Sequence, residues 1–157
     1  MRKFGIIAVL ALVALALAAV PAWAAPHFQS ADSSVNNSGA LVVSFDERGL
    51  GNENVDYTLT ADATATYACF NRGGHNPAAA NKRTEEGSVS TGGSFEVKNG
   101  RVVESLTAGP LSRGTFSCPG GQVLRLADVS YTNIVLTDTT NNISTDVEDV
   151  SRVFIAV

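Results

Sequence analysis

From Val55 to Cys69 the chain alternates without a break. Val55, Tyr57, Leu59, Ala61, Ala63, Ala65, Tyr67 and Cys69 take the odd positions. Asp56, Thr58, Thr60, Asp62, Thr64 and Thr66 take the even ones. A period of two predicts a long strand with one buried and one wet face. The β-branched threonines suit that wet face. The small alanines let an opposing layer approach closely, and Cys69 closes the strand on the inward phase.

Shorter alternations extend the pattern. Leu41, Val43 and Phe45 against Val42, Ser44 and Asp46 predict an earlier strand, followed by a loop over Glu47–Asn54. Ser88–Val97 and Arg101–Leu106 flank Asn99-Gly100, the preferred pair for a type I′ hairpin. That turn predicts Lys98 facing Arg101, Val97 facing Val102 and Phe95 facing Glu104. Thr115–Cys118 reads as a short strand between the Pro110–Gly114 turn and Pro119-Gly120-Gly121. Gln122–Thr137 is β-rich but changes inward phase at Ala127-Asp128, where a bend or split is expected. Ile143–Val147 and Arg152–Val157 supply the last strands. Asn71–Gly87 is the one long irregular connection. Within it, Asn76-Pro77 before Ala78-Ala79-Ala80 fits one short helical turn. The fold expected is all-β: an antiparallel immunoglobulin-like sandwich of seven to eight strands, with a small β-barrel as the alternative.

The ends frame this domain. Arg2 and Lys3 precede an uncharged run from Phe4 to Val20, then Pro21 and the small-x-small site Ala22-Trp23-Ala24. This is the pattern of an export signal, so residues 1–24 are read as a signal helix cleaved after Ala24 or Ala25. Residues 25–39 read as a flexible, polar lead-in, and 40–157 as one β-sandwich domain. After cleavage 9 Lys and Arg face 15 Asp and Glu, a net charge of −6. That balance excludes nucleic acid, which rewards basic patches, and an anionic membrane surface.

Two cysteines remain, Cys69 and Cys118. In an exported chain an even count favours a disulfide. Closing a loop of about 50 residues stabilises by roughly 4 kcal/mol on the chain-entropy argument. Two cysteines and two distant histidines give no metal-ligand spacing, so neither metal nor cofactor is expected.

Candidate chemistry is sparse. Asn71, Arg72, His75 and Asn76 lie in the loop after Cys69, where an Arg and a His can meet an anion or carboxylate; this is the candidate binding loop. As a base His75 would need a nucleophile and an acid, and no G-x-S-x-G elbow supplies one. No catalytic residue is assigned. His27 would lie third after cleavage, but Pro26 has no amide proton to yield to copper. Asp138, Asp146, Glu148 and Asp149, with Asn141 and Asn142, offer oxygens that calcium favours, without the spacing of its loop motif. Thr58, Thr60, Thr64 and Thr66 line one strand face only, interrupted by Asp62. Asn36 and Asn142 head N-x-Ser sequons. The only tryptophan, Trp23, lies in the signal, leaving Tyr57, Tyr67, Phe95 and Tyr131 as rings for a sugar, with Tyr57 and Tyr67 on the inward phase.

The segments Asn54–Ala61, Cys69–Gly74, Asn76-Pro77 with Ala80-Asn81-Lys82, and Ser117–Gln122 resemble small exported proteins of actinobacterial type. The resemblance covers most of the mature chain and implies export and a β-sandwich, with no activity to carry over. In general plan the chain is also similar to the chromophore-carrying apoproteins of actinobacteria. Those typically hold two disulfides, whereas this chain can form one. The function expected is therefore a secreted, non-enzymatic binding module using the loops at the disulfide end. Its expected partner is extracellular, a cell-wall glycan or a protein. The alternatives are a structural protein of the cell envelope and a hydrolase built on His75.

Overall fold

The computed structural model describes residues 24–71, 73 and 81–157. The expected signal helix and the helical turn at 76–80 lie outside them. Within them the chain is all-β and the long alternation is one strand, β3 (Val55–Asn71). Its odd positions from Val55 to Ala65 are buried. Before it come β1 (His27–Val35) and β2 (Leu41–Arg48), and after it β4 (Lys82–Phe95), β5 (Arg101–Ala108), β6 (Gln122–Asp138), β7 (Ile143–Val147) and β8 (Val150–Val153). All pairings are antiparallel. One sheet has the order β1-β2-β5, the other β4-β3-β6-β7, with β8 also on β6. The two sheets form a sandwich, not a closed barrel.

Several expectations are corrected. The irregular connection expected over Asn71–Gly87 is shorter, because β4 already begins at Lys82 and extends its ladder on β3. The last strand is Val150–Val153 and not Arg152–Val157, since pairing with β6 ends at Val153 opposite Asp128. The polar stretch 25–39 is not a lead-in: β1 pairs with β2 from His27–Arg48 to Val35–Leu41. An edge strand needs only one apolar stripe, and here Phe28, Ala31 and Val35 supply it against the core. Strand β2 does not stop at Asp46 but runs through Glu47 to Arg48. Thr115–Cys118 is not a strand, since the whole β5–β6 connection lacks regular structure.

The Asn99-Gly100 turn forms, with both residues at positive φ (53° and 72°) as type I′ requires. Lys98 and Arg101 exchange backbone hydrogen bonds of 2.9 and 3.2 Å. The pairing ends there. Phe95 sits opposite Val55 on β3, and Glu104 opposite Phe45 on β2. Each arm finds a longer ladder elsewhere, so the tight turn becomes a corner between the sheets. Val97 and Val102 are both buried beside it.

Strand β6 stays continuous, and its phase change at Ala127 is a bulge. Thr66 faces Asp128 while Tyr67 faces Leu126, so Ala127 is the extra residue. A second bulge lies at Asn133, between Thr132 opposite Asp62 and Val135 opposite Thr60. There Asn133 takes a φ of 50°. Its amide donates to Asp149 Oδ1 at 3.1 Å, and its Nδ2 donates to Asp62 Oδ2 at 2.8 Å. The aspartate that interrupts the threonine face thus braces a bulge. The inward set on β6 consequently runs Val129 and Tyr131, then Ile134, Leu136 and Asp138.

The core between the sheets joins Leu41, Val43, Phe45, Leu59, Leu106, Val129, Ile134 and Leu136. Towards the β2–β3 loop it is aromatic. Phe45 packs on Tyr57 with centroids 4.7 Å apart, and Phe28 and Phe95 close around them at 5.8–6.4 Å. A small satellite core of Ala68, Phe70 and Ala127 lies on the outer face of β3 and β6. The C-terminal segment covers it through Ile155. The Ala127 carbonyl accepts from the amides of Phe154 and Ile155 at 2.7 and 3.1 Å.

Candidate functional site

The sandwich has two loop-bearing ends, and each gathers polar groups by a different route. At one end Cys69, two residues before the end of β3, is bonded to Cys118. This is the bridge expected from the sequence. It pins the irregular β5–β6 connection against the sheet. Tyr67 adds a hydrogen bond from its hydroxyl to the Leu111 carbonyl at 2.6 Å. Past the bridge, Gln122 Nε2 donates to Asn71 Oδ1 at 3.0 Å, and Asn81 Nδ2 donates to Gln122 Oε1 at 3.3 Å. Ser112, Arg113, Thr115, Ser117 and Pro119 are exposed along this tethered segment.

Of the candidate binding residues, Asn71 stands exposed at the end of β3 and is held by Gln122. Arg72, His75 and Asn76 lie outside the described residues. The aromatic residues considered for sugar stacking turn inward: Tyr57 and Tyr131 are 2% and 1% exposed, and Tyr67 and Phe95 pack against the core. Among the described residues every aromatic ring is buried or half-buried. The C-terminal acidic residues are not gathered. Asp138 is buried and Asp149 caps the Asn133 bulge. Among the described residues no three His, Cys, Asp or Glu side chains come together in a way that could hold a metal.

The opposite end holds a cluster that the sequence reading passed over. The inward phase of β2 runs Leu41, Val43, Phe45 and then Glu47, which is 0% exposed. Among the described residues neither oxygen of Glu47 makes a well-formed hydrogen bond, nor does the hydroxyl of buried Tyr57. Asp138, also 0% exposed, completes the group from the end of β6. Its two oxygens accept from the backbone amide and Nδ2 of Asn141 at 2.8 and 2.6 Å. The Asp56 carbonyl accepts from Thr139 N at 2.8 Å, and Asp56 N donates to Thr140 Oγ1 at 2.9 Å. The β6–β7 turn is thereby strapped to the start of β3.

Burial is the main cause that pushes the Glu47 carboxyl up to about 7, because a charge there would lose its water. The Tyr57 hydroxyl and, more weakly, His27 pull the other way, and Asp138 adds to the rise both by its negative charge and by the direct approach of its carboxyl. Burial likewise raises the Tyr57 hydroxyl, with Glu47 adding to it. Asp46, one residue earlier, points to the opposite face. Arg101 grips it in two parallel hydrogen bonds of 2.7 and 2.8 Å, and Arg48 adds two longer ones of 3.0 and 3.4 Å. These guanidinium contacts, Arg101 first, hold the Asp46 carboxyl well below the usual range. Two adjacent carboxyls are thus driven in opposite directions by the period of one strand.

The signal that could have found this cluster is that alternation itself. Leu41, Val43 and Phe45 place Glu47 inward as soon as β2 is allowed one more residue. No family model, curated protein or solved structure matches the chain.

Proposed function

We propose that the protein is a secreted, non-enzymatic binding module whose recognition surface is the disulfide-tied end. The observation that carries this reading is the tethering of the β5–β6 connection. An exposed polar segment, Ser112–Ser117, is anchored by the Tyr67–Leu111 hydrogen bond on one side and by Cys118 on the other. A loop fixed in advance loses less conformational freedom when a partner docks. Binding surfaces commonly sit on such loops, held by a rigid sheet scaffold. Export is supported by the amino-terminal pattern and is consistent with the disulfide, which persists in oxidising compartments. The immunoglobulin-like assignment belongs to this reading. Two stacked antiparallel sheets with loops collected at both ends support it.

The partner class follows from the surface. Among the described residues the tyrosines pack into the core and only the half-buried ring of Phe116 lies on this segment, so contact would be made mainly by hydroxyl, amide and guanidinium groups, those of Ser112, Arg113, Thr115, Ser117 and Asn71, with the Phe116 ring among them. Such groups suit a polar polymer of the cell wall or a protein. The test is depletion of the oxidised mature protein from solution by insoluble cell wall, chitin and cellulose at increasing salt. Salt-resistant depletion by one polymer, lost when 112–117 is replaced by Gly-Ser, is the expected result. Binding that survives replacement of both 72–80 and 112–117 overturns the assignment to this end. Quantitative retention in the wall fraction, unaffected by either replacement, would favour a structural envelope protein instead.

A further inference from the structure

The cluster at the other end lies outside that reading and stands on its own geometry. Glu47 is fully buried, and neither of its oxygens makes a well-formed hydrogen bond among the described residues, although Tyr57 and Asp138 stand beside it; Phe28 is its cross-strand partner, next to the Phe45–Tyr57 pair. A carboxylate in such a place costs several kcal/mol unless it is neutralised or paired. Among the described residues no lysine or arginine pairs with it. The nearby cations of β2 and β5, Arg48 and Arg101, are spent on Asp46 across the sheet. The titratable groups that face Glu47 are Tyr57 from β3, Asp138 from β6 and His27 from β1. Its neighbour on β5 is Val102. A metal ion is not what this group is built for, because three suitable ligands do not converge. The one cation that fits is a proton.

We propose that Glu47 is a proton-operated latch on the end of the sandwich opposite the disulfide. Neutral, it lets β1, β2, β3 and the β6–β7 turn close over the aromatic cluster. Ionised beside Asp138, it must draw in water, and that end opens. The route for opening is short. Asn141, which holds Asp138 through both oxygens, also lines a surface depression of about 220 Å³ with Asn52, Glu53 and Thr140. Loosening the 139–142 turn would join that depression to the buried carboxyls.

The direction of the pH response follows from burial. The folded chain releases the Glu47 proton near 7, the unfolded chain near 4.5. Stability from this group is complete below the unfolded value. It is lost as pH rises through the folded one, and no further loss follows above it. The separation corresponds to a rise of roughly 300-fold in the unfolding constant, one factor of ten per pH unit.

The experiment is urea unfolding of the oxidised mature protein between pH 4.5 and 8.5, beside Glu47→Gln. The wild type is expected to lose stability across this window, and the variant to lose most of that dependence. Equal slopes in the two proteins overturn the latch. Should Glu47→Gln fail to fold, the carboxyl carbon of Glu47 in the wild type is titrated by NMR. A midpoint near 7 supports the proposal and one below 5 overturns it. Amide-exchange protection factors locate the opening. Selective loss above pH 7 at 55–57 and 138–142, with 123–131 unchanged, is the expected pattern. A uniform loss throughout the sheet overturns a local latch.

Discussion

At the disulfide end, a connection of more than a dozen residues is tied by Cys69–Cys118 and by Tyr67 donating to Leu111, and its polar side chains face water. At the Glu47 end, the turns are short and the closure is tight. Three polar oxygens, two on Glu47 and one on Tyr57, are sealed without a well-formed hydrogen bond among the described residues. The difference shows two solutions to finishing a sandwich. A long loop has too few contacts of its own, so it needs covalent and hydrogen-bonded anchors. A short loop closes on the core directly, and whatever side chain the strand period points inward is trapped there. Recognition suits the first end, where groups are presented. Sensing of pH suits the second, where a charge is withheld from water.

The largest test of this contrast removes the bridge. A Cys69→Ser, Cys118→Ser chain frees a loop spanning 49 positions. The chain-entropy argument gives a loss of about 4 kcal/mol. Urea unfolding at pH 5 measures it. The comparison also demands that the neutral-pH limb set by Glu47 survive in this variant. If breaking the bridge abolished that limb as well, the two ends would not be independent.

Next come the two adjacent carboxyls of β2. Holding Glu47 up to about 7 makes the fold lose on the order of 3 kcal/mol between pH 4.5 and 8. Asp46 works with the opposite sign. Its folded value lies below its unfolded one, near 3.8, so its contribution is present above that pH and fades as acid protonates it. Thermal melts from pH 2 to 9 should therefore show a dome. Asp46→Asn is expected to flatten its acid limb, and Glu47→Gln its neutral limb. Either substitution acting on the other limb would break the assignment of the two groups to opposite faces.

The sequence disclosed these ends unequally. The strand β3, the inward phase of Cys69, its bridge to Cys118 and the I′ turn at Asn99-Gly100 all follow from local periods and turn chemistry. Those signals need no knowledge of the partner strand. The phase break at Ala127 was visible too, although only pairing with β3 shows it to be a bulge. The separation of β4 from β5 was hidden, because a hairpin turn fixes two residues and tertiary ladders decide the rest. β1 was hidden because an edge strand with one apolar stripe is compositionally a polar loop. Glu47 was missed for a related reason. A charged residue conventionally ends an apolar alternation, whereas here the strand period outweighs the cost of burying it. For the binding loop, Arg72, His75 and Asn76 lie outside the described residues, so the candidate site there rests on Asn71 and the tethered segment.

The smallest and sharpest test uses two buried tyrosines, one near each end. Tyr131 donates from its hydroxyl to the Gly39 carbonyl at 2.6 Å, at the turn between β1 and β2 on the disulfide side. Tyr131→Phe leaves that buried carbonyl unpaired and is expected to cost about 1–2 kcal/mol at every pH from 5 to 8.5. Tyr57→Phe removes a buried hydroxyl that stands beside Glu47 without a well-formed hydrogen bond to it. At pH 5, with Glu47 neutral, the change should be neutral or stabilising by up to about 1 kcal/mol, since a desolvated donor is deleted. Above pH 7 the sign should reverse. The Tyr57 hydroxyl favours the charged form of Glu47, so its loss leaves the new carboxylate with one fewer donor and destabilises the fold by a similar amount. Urea midpoints for both variants at pH 5 and 8.5 give the four values needed. A Tyr57→Phe effect that keeps one sign at both pH values would mean that Glu47 does not ionise beside it, and the contrast between the two ends would reduce to one of loop length alone.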